Sequence, residues 1–223
     1  MITFKGVTKQ YASNHCALID LNFHISKGEM IFIKGHSGAG KSTILSLIAG
    51  LERVCKGEIL VDQFKIHKLS TRQTPAYRRR LGIIFQNPLL LNHRCVYDNV
   101  AMPLILEGLY NSEISKRVYL TLDRVGLLAK AKLLPTQLSG GEQQRLGIAR
   151  AIIHKPSILL ADEPTGNLDP TLSTDMMDLF TRLNQKGVTV IIATHDNSLL
   201  EHTLQYHSSR DIELTQGQIS CIR

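Results

Sequence analysis

The chain has 223 residues, 43% of them hydrophobic and 20% charged, enough for one sizeable α/β domain or two lobes sharing a core. The net charge of +7 has its densest cluster at Arg78-Arg79-Arg80 beside Tyr77; one short cluster does not make a nucleic-acid surface, and attraction to an anionic membrane surface suits it better. No apolar run reaches bilayer-spanning length, the N-terminus MITFKGVTKQ is not a secretory signal, and Cys16, Cys55, Cys95 and Cys221 form neither a C-x-x-C pair nor a disulfide framework, a pattern that suits a reducing cytoplasm.

No repeat, low-complexity tract or linker interrupts the chain. Ile2–Thr8 and Leu18–Ile25 alternate like antiparallel strands. Glu29–Lys34 is a short apolar strand, Lys41–Ala49 has helical periodicity, and between them lies Gly35-His36-Ser37-Gly38-Ala39-Gly40-Lys41-Ser42-Thr43. Leu81–Phe85 reads as another strand. From about Asn99 the patterns are helical, over Asn99–Glu107, Ser112–Val125 and Glu142–His154. Ser157–Ala161 and Val188–Ala193 are continuous β-rich runs of the kind buried on both faces of a parallel sheet. Helical patterns over 171–186 and 198–204 separate and follow them, and Asp211–Leu214 and Gln218–Cys221 close the chain around a Gln-Gly turn. The expectation is a doubly wound α/β core with a parallel sheet, formed by 1–86 and 155–223. An N-terminal antiparallel β subdomain belongs to it, and a helical subdomain, 87–154, is inserted.

The chemistry begins at Gly35–Thr43, which fits G-x-x-x-x-G-K-[ST] between a strand and a helix. Glycines let backbone N–H groups wrap phosphates, and the helix N-terminus adds a favourable dipole. Lys41 can reach the β- and γ-phosphates, and the Ser42 hydroxyl can ligate Mg²⁺. The strand from Ile158 delivers two adjacent carboxylates: Asp162 suits Mg²⁺, and Glu163 suits a base that polarises the attacking water. Gln86 could sense Mg²⁺ and that water, His195 could contact the γ-phosphate, and Tyr11 could stack on adenine. Taken singly, each is as well explained as a strand-end, loop or core residue. Ser139, Gly140 and Gly141 make a second anion site, at a helix N-terminus with Ser139 as its N-cap, without a ligand in their own neighbourhood.

In their order along the chain, Tyr11, Gly35–Thr43, Gln86, Leu138-Ser139-Gly140-Gly141-Glu142-Gln143, Asp162-Glu163, Asp169 and His195 resemble the nucleotide-binding subunit of ATP-binding-cassette (ABC) transporters over nearly the whole chain. The resemblance implies a P-loop ATPase that binds ATP and Mg²⁺ (through Ser42, Gln86 and Asp162), with Glu163, His195 and Gln86 as its catalytic residues. It also implies a head-to-tail homodimer, in which Leu138–Gln143 of one copy cover the γ-phosphate on the other's phosphate loop and Asp169 bridges the two sites. Neither a C-terminal regulatory domain nor a fused transmembrane domain is expected, and without the latter the expected partner is a separate integral membrane protein, with no nucleic acid. The wording around His36, Val96–Leu104, Val125–Leu128 and Leu160–Asp169 resembles the cell-division branch of the family, although Asn87-Pro88 and the tail after Asp196 depart from it. That branch implies a site at the bacterial inner membrane, cytoplasmic division proteins as further partners, and ATP-driven activation of cell-wall hydrolysis. Lipoprotein-release and macrolide-efflux ATPases share Ala161–Asp169 and are the alternative. The stretch from about Asn87 to Glu107 is expected to be helical and to form part of the groove for the membrane partner; its Met102, Leu104 and Ile105 fit contacts with that partner and ordinary core positions of the helical subdomain equally well.

Overall fold

The computed structural model describes residues 1–11, 16–166, 168–195 and 209–222. Two sheets form its frame. The smaller is antiparallel, in the order β2-β1-β4-β5, with β1 at Ile2–Gln10, β2 at Cys16–Ile25, β4 at Lys56–Val61 and β5 at Phe64–Lys65. The larger runs β10-β9-β3-β8-β7-β6, with β3 at Met30–Lys34, β6 at Leu81–Ile84, β7 at Ile158–Asp162, β8 at Thr189–Ala193, β9 at Arg210–Thr215 and β10 at Gln218–Ile222. From β9 to β6 every pairing is parallel, and β10 closes the edge antiparallel to β9.

The large sheet shows why its strands are apolar without alternation. Ile31, Ile33, Leu160, Ile191 and Ile212 point to one face, where they meet the helix α1 (Lys41–Ile48) and the inner side of the small sheet. Phe32, Leu159, Ala161, Val190 and Ile192 point to the other face, against α5 (Gly140–Ile152) and α6 (Pro170–Gln185). Both faces are buried, so both sets of positions must be hydrophobic.

A third cluster lies apart from the sheet. Val100 and Leu104 of α3 (Val96–Leu106), Val118 and Leu122 of α4 (Asn111–Arg124), and Leu146 and Ala149 of α5 pack on one another. The expected helices are therefore present, with corrections. The stretch from Asn87 is not helical until Val96, because Cys95 caps α3, its Sγ accepting from the Asp98 amide at 3.4 Å. Leu104 is fully buried in this cluster and is no surface contact, whereas Ile105 and Leu106 are exposed. The strand β4 and the short helix α2 (Gln73–Arg78) carry no expectation from the sequence. The pattern over 198–204 lies outside the described residues.

The basic cluster is largely absorbed by the fold. Tyr77 is fully buried with its hydroxyl donating to the Ile48 carbonyl, Arg78 donates to the Gly50 carbonyl at 3.0 Å, and Arg80 pairs with Asp62 at 2.8 Å. Among the described residues no helix is long and apolar enough to cross a membrane.

Candidate active site

Strands β3, β7 and β8 run parallel, so their C-terminal ends finish together, and in such sheets ligands sit beyond those ends. Strand β3 leads into Gly35–Gly40, and α1 starts at Lys41. The loop is built on positive φ: 149° at Gly35, 80° at Gly38 and 106° at Gly40. Two of its glycines are also required by space. A Cβ on Gly35 would lie 2.5 Å from the Leu214 carbonyl oxygen, and one on Gly40 would lie 2.6 Å from that of Ala17. The C-terminal hairpin braces the loop, the Gly217 amide donating to the Ala39 carbonyl at 3.2 Å.

Lys41 lies inside this loop, its Nζ donating to the carbonyls of Gly35 at 2.7 Å and His36 at 3.2 Å. It also approaches Glu163 Oε1 at 3.8 Å, and the two side chains are only 7% and 12% exposed, so water screens their attraction little. Strand β7 ends at Asp162, and Glu163 turns off it at φ 46°, a left-handed conformation costly for any residue but glycine. Three neighbours hold it there. Its amide donates to the Ala193 carbonyl at 2.9 Å, Thr194 donates to Oε2 at 3.3 Å, and the His195 ring Nδ1 lies 2.8 Å from Oε1.

Asp162 sits deeper. Burial pushes its carboxyl above the usual range and Glu163 adds to this, while a hydrogen bond from Ser42 and the charge of Lys41 oppose it. Its Oδ1 is buried without a partner among the described residues. A hydroxyl, an orphaned carboxylate oxygen and an adjacent cleft form a hard-oxygen set that fits a small divalent cation completed by water and phosphate.

One cleft of about 710 Å³ gathers Tyr11, Gly35–Thr43, Gln86, Glu163 and His195. It is also lined by Ala17 and by Glu213–Thr215, which the sequence did not disclose. They arrive from β2 and β9 through pairing across nearly the whole chain, and no local pattern announces that. Tyr11 stands at the rim, with the Lys9 ammonium 4.8 Å from the centre of its ring.

None of Leu138–Gln143 lines this cleft. They open α5 elsewhere, with a reciprocal cap: the Glu142 amide donates to Ser139 Oγ at 3.3 Å, and Glu142 Oε2 accepts from the Ser139 amide at 3.0 Å. Lys130 bonds Glu142 at 2.5 Å and, with the Ser139 amide, holds this carboxyl below the usual range. Gln143 is turned inward, donating to the Pro135 and Leu138 carbonyls at 3.1 and 3.3 Å. The first two amides of the helix, those of Gly140 and Gly141, have no helical acceptor upstream; Ser139 and Gly140 are exposed and Gly141 is half-buried. Asp169 caps α6, its Oδ1 accepting from the Leu172 amide at 3.1 Å.

Residues 18–166 match the family described as ABC transporter. The chain belongs to that family. Among curated relatives, "Cell division ATP-binding protein FtsE" of Escherichia coli K12 is 51% identical over 219 residues, covering 98% of this chain and 97% of its own. The protein of the same name from Mycobacterium tuberculosis is 46% identical over 220 residues, covering 98% and 94%. Among solved structures, the dimeric post-hydrolysis state of the ATP-binding cassette MJ0796 bound to ADP and Pi is 35% identical, with a TM-score of 0.93 over 100% of this chain and 98% of that one. This ABC cassette is thus an ATPase: it binds ATP and hydrolyses it to ADP and phosphate.

Proposed function

We propose that Glu163 is the general base of this ATPase. The supporting observation is its placement: a carboxylate held in a left-handed turn at the mouth of the phosphate loop, beside Lys41 and His195. In this reading ATP lies along Gly35–Thr43 with its adenine on Tyr11. Lys41 leaves the Gly35 and His36 carbonyls for the β- and γ-phosphates. Ser42, Asp162 and Gln86 would hold Mg²⁺, which supplies charge neutralisation on the phosphate oxygens. Glu163 accepts the proton of the attacking water, and Thr194 and His195 fix its two oxygens. His195 also reaches the γ-phosphate. Asp162, with its buried, unpartnered Oδ1 and the Ser42 hydroxyl beside it, is better placed for a cation than for taking that proton.

Leu138–Gln143 act in trans. Two copies associate head to tail, and Ser139 with the Gly140 and Gly141 amides completes the other copy's γ-phosphate site, Asp169 joining the two. Residues 87–154 then move as the unit that carries this motif. The partner is an FtsX-like integral membrane protein, met through the exposed Ile105 and the half-buried Met102 at the cytoplasmic face of the bacterial inner membrane. The pair transmits ATP-driven motion to cell-wall hydrolases at the division site, where cytoplasmic division proteins are further partners. Full-length similarity to proteins named for cell division supports this over lipoprotein release or macrolide efflux.

The deciding experiment is Glu163→Gln. It should bind ATP with parental affinity, lose turnover by about 10²- to 10⁴-fold, and accumulate as an ATP-bound dimer. Hydrolysis at the parental rate would refute Glu163 as the base.

A further inference from the structure

A second cleft, about 660 Å³, opens at the opposite end of the sheet strands from the phosphate loop. It lies between α4 and α5 on one side and α6 with the start of β8 on the other. Its size nearly matches the 710 Å³ of the nucleotide cleft. Five cations line it: Lys116, Arg117 and Arg124 from α4, Lys155 from the turn after α5, and Lys186 at the end of α6. The one carboxylate in the lining, Glu113, is bound by Arg117 at 2.6 Å. Among the described residues no ion pair engages Lys116, Arg124, Lys155 or Lys186.

Cations often serve only to offset the negative ends of helices, and α4, α5 and α6 all send their C-terminal ends toward this region. Three such ends amount to roughly −1.5 charges, too little to neutralise four unpaired cations. Arg117 holds the Glu113 carboxyl below its usual range, and Lys116 and Lys155 add smaller contributions. Beneath the cations the floor is apolar, made by Ile152, Ile153, Leu179 and Val188. A cleft lined by both apolar side chains and five cations suits a compact ligand with a non-polar body and several negative charges.

We propose that this cleft is a second anion site, which takes a soluble phosphate-bearing small molecule distinct from the ATP being hydrolysed. A ligand seated there ties the α4–α5 layer, which carries the signature residues, to α6 and the sheet, which carry Glu163. Its binding therefore bears on any movement between those layers.

The test uses the full chain carrying Lys41→Ala, which disables the phosphate loop, with inorganic tripolyphosphate as the probe in equilibrium dialysis. The expected result is saturable binding that the added pair Lys116→Glu and Lys155→Glu weakens by about tenfold or more, and that Lys116→Gln with Lys155→Gln weakens less. The pair Lys65→Glu and Lys68→Glu makes the same change in net charge at two exposed positions, on β5 and in the turn after it, and should leave binding intact. Absent binding, or equal loss in both charge-reversed pairs, overturns the proposal. So does sedimentation with phosphatidylglycerol vesicles that depends on Lys116 and Lys155 without tripolyphosphate binding, since the anion is then a lipid headgroup. Each pair, with Lys41 restored, should keep its thermal midpoint, which separates loss of the site from loss of the fold.

Discussion

Gly40 shows how closely the phosphate loop is specified by single residues. Its φ of 106° is one that side chains rarely adopt, and a Cβ there would press on the Ala17 carbonyl oxygen and the Leu18 side chain, both at 2.6 Å. The obstacle is backbone on one side and a buried core leucine on the other, so neither can yield cheaply. Gly40→Ala should cost about 1–3 kcal/mol from the backbone conformation alone, with the clash added. Thermal melting would show the loss, and ATP affinity should fall with it, because the loop's amides can no longer face the phosphates. Gly38 makes the contrast: nothing lies within 4 Å of its missing Cβ, so only the φ of 80° penalises Gly38→Ala and the damage should be smaller. The glycine spacing could be read from the sequence as a phosphate cradle. The steric reason for Gly40 could not, because Ala17 reaches it from another sheet.

At the scale of elements, α5 carries two separable burdens. Ser139 is its N-cap, and the proposed dimer also places this residue on a phosphate. Ser139→Asp distinguishes them, since aspartate caps helices as well as serine does but sets a negative charge where the phosphate must sit. The variant should melt within a few degrees of the parent and lose turnover by about a hundredfold or more. If capping were the residue's whole contribution, turnover would survive. The other end of α5 is tied to β6 by His154, whose Nε2 lies 3.1 Å from the Leu81 carbonyl oxygen. Burial holds this imidazole below its usual range, with the Leu81 carbonyl and Glu107 opposing the shift. Between its folded value and about 6.5 the unfolded chain therefore binds more protons, and stability rises with pH across that window and levels off above it. Denaturation curves from about pH 7.5 down to about 5.5 should fall more steeply for the parent than for His154→Gln, which can still donate to Leu81. The sequence signalled α5 well, because Ser139 and Glu142 stand at capping-box spacing, although the helix starts two residues before the expected Glu142. It failed at the start of α3, where the cap is a cysteine, an unusual N-cap, and the Asn87-Pro88 segment is not helical. Pro88 instead packs against Gly147, where a Cβ would lie 2.8 Å from it, and its carbonyl accepts from Arg150 at 2.5 Å. Such a contact joins segments about sixty residues apart, and no local periodicity records it. The missed β4 and α2 are similar cases: β4 begins with three exposed residues, and α2 is six residues long with Pro75 inside it.

In the whole molecule, the second half of the proposed catalytic site is displaced from the first. The cleft that gathers Lys41 and Glu163 is lined by no residue of Leu138–Gln143, and the latter sit on a separate helical cluster with its own hydrophobic core. On the proposed reading a single chain carries two incomplete anion sites, and a two-fold pair of chains would complete both at once, each lending its helix terminus to the other. This geometry makes a demand that residue-level tests cannot. Lys41→Ala disables the phosphate loop and leaves the signature helix intact; Ser139→Asp does the reverse. Either variant alone should be inactive. Mixed in equal amounts, they form hybrid dimers in which the loop of the Ser139→Asp chain meets the signature of the Lys41→Ala chain. Half of the dimers are hybrids and each has one intact site of two, so the mixture should recover roughly a quarter of the parental turnover if the sites act independently. A site completed within one chain would gain nothing from mixing, because every chain in the mixture carries a defect. Recovered turnover that depends on protein concentration would place Ser139 on the nucleotide of a second copy, and an inactive mixture whose hybrid dimers are shown to form would confine it to its own.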